Sequence, residues 1–282
     1  MIQEDAQWCP NCGTKLSAME AGRAPSSGDA YRDYQPDFRS TSPESRIREA
    51  IRWRMQTDEV ISSVWVLLPL IGVFVGVAVG ATFFLLGGGL LGVMAILGGY
   101  IISAVFFAIL NYKLFNRNNQ HSRREAMLRT AIVEHIRNRA SERGASQKVA
   151  NQVSTMESIN HESITKEREH NAALWAILPI IPIIGPIMLL IALYYLTDFP
   201  PSHDRRWHAF TQQAQSAGTH LDMTIVLPSW RTLPDRSYFL YLIVTVLIGI
   251  FILYWYYALI KDMNDHFRNQ WQFEDQLIKE LE

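Results

Sequence analysis

The chain has 282 residues, 49% of them hydrophobic, with a net charge of −1 and a sequence pI near 6.7. That balance excludes a general nucleic-acid binder, which needs a basic patch or stripe. A mean hydropathy near zero would fit an ordinary soluble protein, but all 26 Lys and Arg residues lie outside four uncharged apolar stretches, at 62–86, 87–112, 172–196 and 238–258.

Taken from the N-terminus, the first 21 residues are polar and show no apolar core behind a basic segment. No signal peptide is therefore expected, and insertion relies on a later span. The only two cysteines stand in the run Cys9-Pro10-Asn11-Cys12-Gly13. Two thiolates three positions apart on a tight turn reach one tetrahedral Zn2+, and Gly13 leaves the backbone free to turn back toward the sulfurs. The run resembles the knuckle of the zinc-ribbon family, which implies zinc as a cofactor. No second knuckle follows, so two chains of a homo-oligomer share the ion, His or water completes it, or the knuckle is a remnant. A redox reading of the pair competes, but it expects a strand and helix scaffold around the motif. Residues 17–43, rich in Ser, Gly, Pro, Ala and Asp, read as a disordered tether.

Pro43-Glu44 opens a helix with Ile47, Ala50, Ile51 and Arg54 on one face, and Arg46, Arg48 and Arg52 around it. Such a helix either lies on anionic lipid or packs in the cytoplasm. The four apolar stretches contain 25, 26, 25 and 21 residues, and roughly 20 helical residues cross a ~30 Å hydrocarbon core. Gly87-Gly88-Gly89 predicts a hairpin turn between the first two. Beyond them, Leu128, Ile132 and Ile136 form an apolar stripe on a helix running to Arg143. Pro179, Pro182, Gly185 and Pro186 make the third stretch a kinked span or a re-entrant hairpin. Trp255-Tyr256-Tyr257 reads as an interfacial belt. Basic residues number 8 before Ser62, 11 between Tyr112 and Ala172, 4 between Leu196 and Tyr238, and 3 after Ala258. The positive-inside rule then puts 1–61 and 113–171 in the cytoplasm of a multi-pass cell-membrane protein whose evident partner is the lipid bilayer.

A pattern recurs three times. Trp65, Trp175 and Trp230 each begin Trp-x-x-Leu-Pro, and each following apolar stretch ends in Tyr-x-Leu. A His stands nine residues after that Tyr and an Arg two further on: Tyr112, His121, Arg123; Tyr194, His203, Arg205; Tyr257, His266, Arg268. His and Arg two apart on a helix diverge by about 200°, which rules against a joint phosphate site. A seven-residue step stays on nearly one face and sets each His between apolar neighbours: Leu114 and Leu128, Leu196 and Phe210, Leu259 and Phe273. The histidines are thus expected to be packed and hydrogen-bonded at repeat junctions, with a proton or ligand site and a three-His metal centre as the alternatives. They can meet only if all three tails lie on one side of the membrane.

The knuckle together with the last repeat, from Leu253-Tyr254-Trp255-Tyr256-Tyr257 through Asp262, Asn264, His266 and Arg268, resembles a loosely defined set of prokaryotic, largely archaeal, multi-pass membrane proteins. The single knuckle and Pro200-Pro201 depart from that family's pattern, and the resemblance implies no activity. The expected architecture is an all-α integral membrane protein with about four membrane-embedded helices in three degenerate repeats. It divides into a knuckle at 1–16, a linker at 17–43, repeat 1 with juxtamembrane helices and two spans at 44–143, a cytoplasmic connector and repeat 2 at 144–220, and repeat 3 with a C-terminal cytoplasmic helix at 221–282. No nucleophile elbow, phosphate loop or His-Glu-x-x-His run is present. The four stretches hold no carboxylate to mark an ion pathway. The expected function is a non-enzymatic membrane scaffold or regulatory protein with a tethered zinc knuckle, and a small-solute or ion conductor built from the repeated segments is the alternative.

Overall fold

The computed structural model describes residues 42–229 and 231–281. Cys9, Cys12, most of the linker and Trp230 lie outside the described residues, within which all regular structure is helical. Helix α1 (Pro43–Arg52) starts at Ser42, whose side chain accepts from the Ser45 amide, with Pro43 in the first turn where a missing N–H costs nothing. Its Ile47, Ala50 and Ile51 are buried, and its Arg46 pairs with Glu134 of a later helix, so α1 is a packed helix. A single turn, α2 (Arg54–Thr57), follows and delivers Asp58 to the interior.

Helices α3 (Leu68–Leu85) and α4 (Gly89–Glu142) form a hairpin closed by Gly87 at φ +79°, a conformation that suits glycine. Gly72 and Gly76 of α3 meet Gly99 of α4 so closely that a Cβ on Gly99 would stand 2.4 Å from the Gly72 carbonyl oxygen. Small residues at such a seam let two backbones approach where no hydrophobic effect drives them together. The outer faces carry exposed Phe74, Val77, Leu90 and Ile101. The segment Ser63–Leu85 and α4 are the two helices among the described residues that are long and apolar enough to cross a membrane. In α4 the uncharged part ends at Tyr112, and the helix continues unbroken to Glu142.

The two later apolar stretches are each broken. Helix α5 (Ser146–Lys166) folds back along α4, and α6 (Ala172–Ile177) gives way to a 3-10 turn at Leu178–Ile180. The prolines there remove backbone donors, and the chain turns through Ile183 at φ +73° before α7 (Gly185–His220) begins. Helix α7 runs through Pro200 and Pro201 without ending. Helix α8 (Tyr238–Leu247) likewise stops at Ile248, and α9 (Phe251–Glu280) returns against it. The third and fourth apolar stretches are therefore short hairpins, with first arms of 6 and 10 helical residues, below the roughly 20 that a crossing helix needs.

The buried apolar residues form two clusters. One gathers Leu110, Leu114, Leu196, Trp255 and Leu259 near the hairpins, and the other gathers Leu128, Trp207, Phe210, Phe273 and residues of α1 and α5. The seven-residue neighbours of each histidine fall one in each cluster. Between them lies a layer of buried charge.

Candidate metal centre

Three long helices supply the layer: His121 and Glu125 from α4, His203 from α7 and His266 from α9, all fully enclosed. The imidazole centroids are 5.0 Å apart for His121 and His203, 5.2 Å for His121 and His266, and 4.8 Å for His203 and His266. One ligand atom from each of the four residues lies within 4.8 Å of every other. Nε2 of His203 is 2.6 Å from Oε2 of Glu125, Nε2 of His121 is 3.2 Å from that oxygen, and the two Nε2 atoms are 3.0 Å apart.

Each ring is oriented from behind by a carboxylate. Nδ1 of His121 faces Asp58 at 2.9 Å, Nδ1 of His203 faces Glu167 at 3.0 Å, and Nδ1 of His266 faces Asp204 at 2.8 Å. An ionised carboxylate only accepts, so Nδ1 of His121 and Nδ1 of His266 carry the hydrogen and point their Nε2 lone pairs the other way, whereas His203 and Glu167 meet as an ion-pair contact outside hydrogen-bond geometry. This is the carboxylate–histidine arrangement that fixes tautomer and ring angle in metal sites. The three imidazoles and the Glu125 carboxylate then converge, an arrangement that needs a proton or a metal ion in its midst.

The carboxylates are held in turn. Arg124 bridges Asp58 (Nη2 to Oδ2, 2.7 Å) and Glu274 (Nη1 to Oε1, 2.7 Å), and the Trp271 indole donates to Asp58 at 2.8 Å. Arg129 pairs with Glu125, Arg206 donates to Glu167 at 2.9 Å, and the Leu233 amide donates to Asp204 at 3.0 Å. Among the described residues, the carboxylates in this contact network are Asp58, Glu125, Glu167, Asp204 and Glu274, and its guanidiniums are Arg124, Arg129 and Arg206. Arg54 touches Glu274 at 3.7 Å, but its nearer partner is Asp275 at 2.7 Å. Counting these groups alone, with neutral histidines and ionised carboxylates, the sum is −2, a charge that one divalent cation would offset.

Protonation follows the same geometry. Burial alone would lower His203, but the charges of Glu125 and Glu167 push it up to about 10. Burial likewise opposes ionisation of Glu125, yet Arg129 and His203 hold it well below the usual carboxylate range. Glu167, raised by burial but lowered further by His203, falls to about 2. Burial dominates at His266 and lowers it, leaving that ring neutral at physiological pH.

Of the motif residues identified by spacing, the histidines come together and their companions do not. Arg123, Arg205 and Arg268 lie on the surface with Glu169, Asp235 and Asp265, and Tyr112, Tyr194 and Tyr257 are exposed at the ends of the apolar parts. Asn264, two before His266, ties α9 to the Ile61 backbone at 2.8 and 3.2 Å and accepts from Arg117 at 3.1 Å. Glu125, Asp58, Glu167 and Asp204 were not among the residues singled out from sequence. The one local signal was His121-x-x-x-Glu125, an i,i+4 pair that a helix places on one face. No protein-family model, curated protein or solved structure matches this chain.

Proposed function

We propose that this chain is a non-enzymatic integral membrane protein of the scaffold or regulatory kind, in which a divalent transition-metal ion clamps the membrane-proximal ends of three hairpin repeats. The observation that carries this reading is the convergence of three imidazoles and one carboxylate, each ring with a second carboxylate within 3.0 Å of its Nδ1. Imidazole-rich sites suit zinc, copper, nickel and iron, whereas magnesium and calcium take oxygen ligands. Zinc is the leading ion, since four N and O donors match its tetrahedral preference at about 2.0–2.2 Å. Complete burial supports a structural or regulatory ion, because a catalytic ion keeps an open position.

The hairpins α3–α4, α6–α7 and α8–α9 each place an apolar arm before a long helix that carries a motif histidine. This supports reading them as degenerate repeats that give four membrane-embedded segments. The first hairpin crosses, and the two shorter ones enter and leave on the same side. All three histidine tails then lie with the N-terminus in the cytoplasm, where the basic residues concentrate. Cys9 and Cys12 would form a second, tethered zinc site shared between copies of the chain.

Metal analysis of the purified full-length protein tests this. It should hold about one zinc per chain at the histidine centre and about half of one at a shared knuckle. Cys9→Ser with Cys12→Ser should remove only the smaller part, and His121→Ala with His266→Ala only the larger. A metal-replete Cys9→Ser/Cys12→Ser protein that binds no metal would sink the reading.

A further inference from the structure

We propose that the ion reaches the enclosed centre through the cavity between α5 and α7, past Phe199; this rests on the metal-centre reading above. A cavity of about 520 Å3 opens there beside Glu167, Tyr195, Phe199 and Ser202. Beside it, a void of about 20 Å3 is bounded by Asn118, Ser122, Glu167 and Phe199. The two share Glu167, Arg168, His170, Tyr195 and Phe199 as walls and so lie side by side, and two of those residues, Glu167 and Phe199, also touch His203. The inner void has the volume of about one water molecule or a similarly small cation.

Its walls are built for a polar guest. Asn118 Oδ1 and Ser122 Oγ are buried and make no hydrogen bond to protein, which is costly for each orphaned group. Buried polar atoms without a protein partner are the exception in folded proteins and mark a place for a water molecule or an ion. Glu167 reaches from the same wall to His203, its Oε2 standing 3.0 Å from Nδ1. Of the basic residues that line the outer cavity, Arg206, Lys166 and Arg205 are paired with Glu167, Glu162 and Asp235, and Arg168 is the remaining arginine of its wall. Phe199 lies flat on the His203 ring, with centroids 5.0 Å apart and planes at 16°. It thus borders both cavities and covers a metal ligand.

The test is the release of Zn2+ from loaded full-length protein to an excess of chelator, followed with a zinc indicator. Phe199→Ala should speed release about tenfold, the change produced by lowering a barrier by about 1.4 kcal/mol. Asn118→Leu, which replaces the oxygen by an apolar group of similar size, should slow release by a similar factor. Slowing is the diagnostic result, since a variant that merely loosened the fold would release faster. If Phe199→Ala fails to fold, Asn118→Leu alone decides. Release rates equal to the parent's, with zinc content retained, overturn the route and leave the metal centre standing. A parent without zinc at the histidines removes both.

Discussion

Nε2 of His121 and Nε2 of His203 stand 3.0 Å apart inside the protein, although 82 positions separate them in the chain. With Nδ1 of His121 hydrogen-bonded to Asp58 and Nε2 of His203 also 2.6 Å from Glu125, that distance needs a proton or an ion among the three groups. The ion and the proton therefore compete for one place.

That competition predicts a proton count. In the metal-free protein His203 stays protonated up to about pH 10 because Glu125 and Glu167 outweigh its burial. A metal ion requires the lone pair, so zinc binding at pH 7.5 should expel about one proton, and apparent affinity should rise with pH until about 10. Calorimetry in buffers of different ionisation enthalpy reads the number directly, and zero protons would contradict the arrangement. The sign for the metal-free fold is opposite. Its raised histidine contributes stability in full below the unfolded value of about 6.5, and that contribution fades as pH climbs through about 10.

Arg124 is buried between Asp58 and Glu274, 2.7 Å from each. Arg124→Met would leave two enclosed carboxylates facing one another and should cost about 3–5 kcal/mol in chemical denaturation. Adding Glu274→Gln removes one of the stranded charges and should recover part of the loss. Arg124→Lys should fall between, since a point charge does not span both acids as a planar fork does.

The glycine seam of the first hairpin predicts opposite outcomes at adjacent positions. A Cβ on Gly99 would meet the Gly72 oxygen at 2.4 Å and the Gly76 Cα at 2.5 Å, whereas one on Gly98 meets nothing within 4 Å. Gly99→Ala should destabilise by about 1–3 kcal/mol through overpacking. Gly98→Ala should be neutral or stabilising by up to about 1 kcal/mol, as alanine outranks glycine in a helix. Thermal melts in detergent compare the two.

Because the three histidines meet, the arginines two residues beyond them must share one side of the membrane. Arg123, Arg205 and Arg268 have side chains 40%, 55% and 60% exposed. Cysteines placed there one at a time, in a chain lacking Cys9 and Cys12, should all react with an impermeant thiol reagent from the cytoplasmic face. Labelling of Arg205→Cys from the opposite face alone would separate α7 from the centre.

Much of this architecture was legible. Uncharged length marked the apolar segments, prolines marked the break before α7, and the seven-residue step located each histidine between two apolar layers. The break at Ile248 in the fourth stretch has no proline and was hidden in a run of 21 apolar residues. At the centre, three of the four converging groups were in the repeated motif. The supporting carboxylates escaped because they lie just outside the apolar stretches, Asp58 and Glu167 before one and Asp204 after one, and because their pairing is tertiary. Asp204 adjoins His203 in sequence yet orients His266, and Asp58 comes from the turn after α2, 63 positions before His121. Spacing encodes which residues share a helix face but is silent on which helix ends meet.

Helix α4 is unbroken from Gly89 to Glu142, so its azimuth is set once for its whole length. At about 100° per residue, His121 sits about 20° around the axis from Gly92 and about 40° from Gly99. The face that clasps α3 is thus in phase with the face that offers the imidazole. One residue inserted between Gly99 and His121 would swing the ring by about 100°, whereas seven would bring it back to within about 20°. The hairpin and the metal centre are cut to a common thread, and the length between them is free to change only in steps of about two turns.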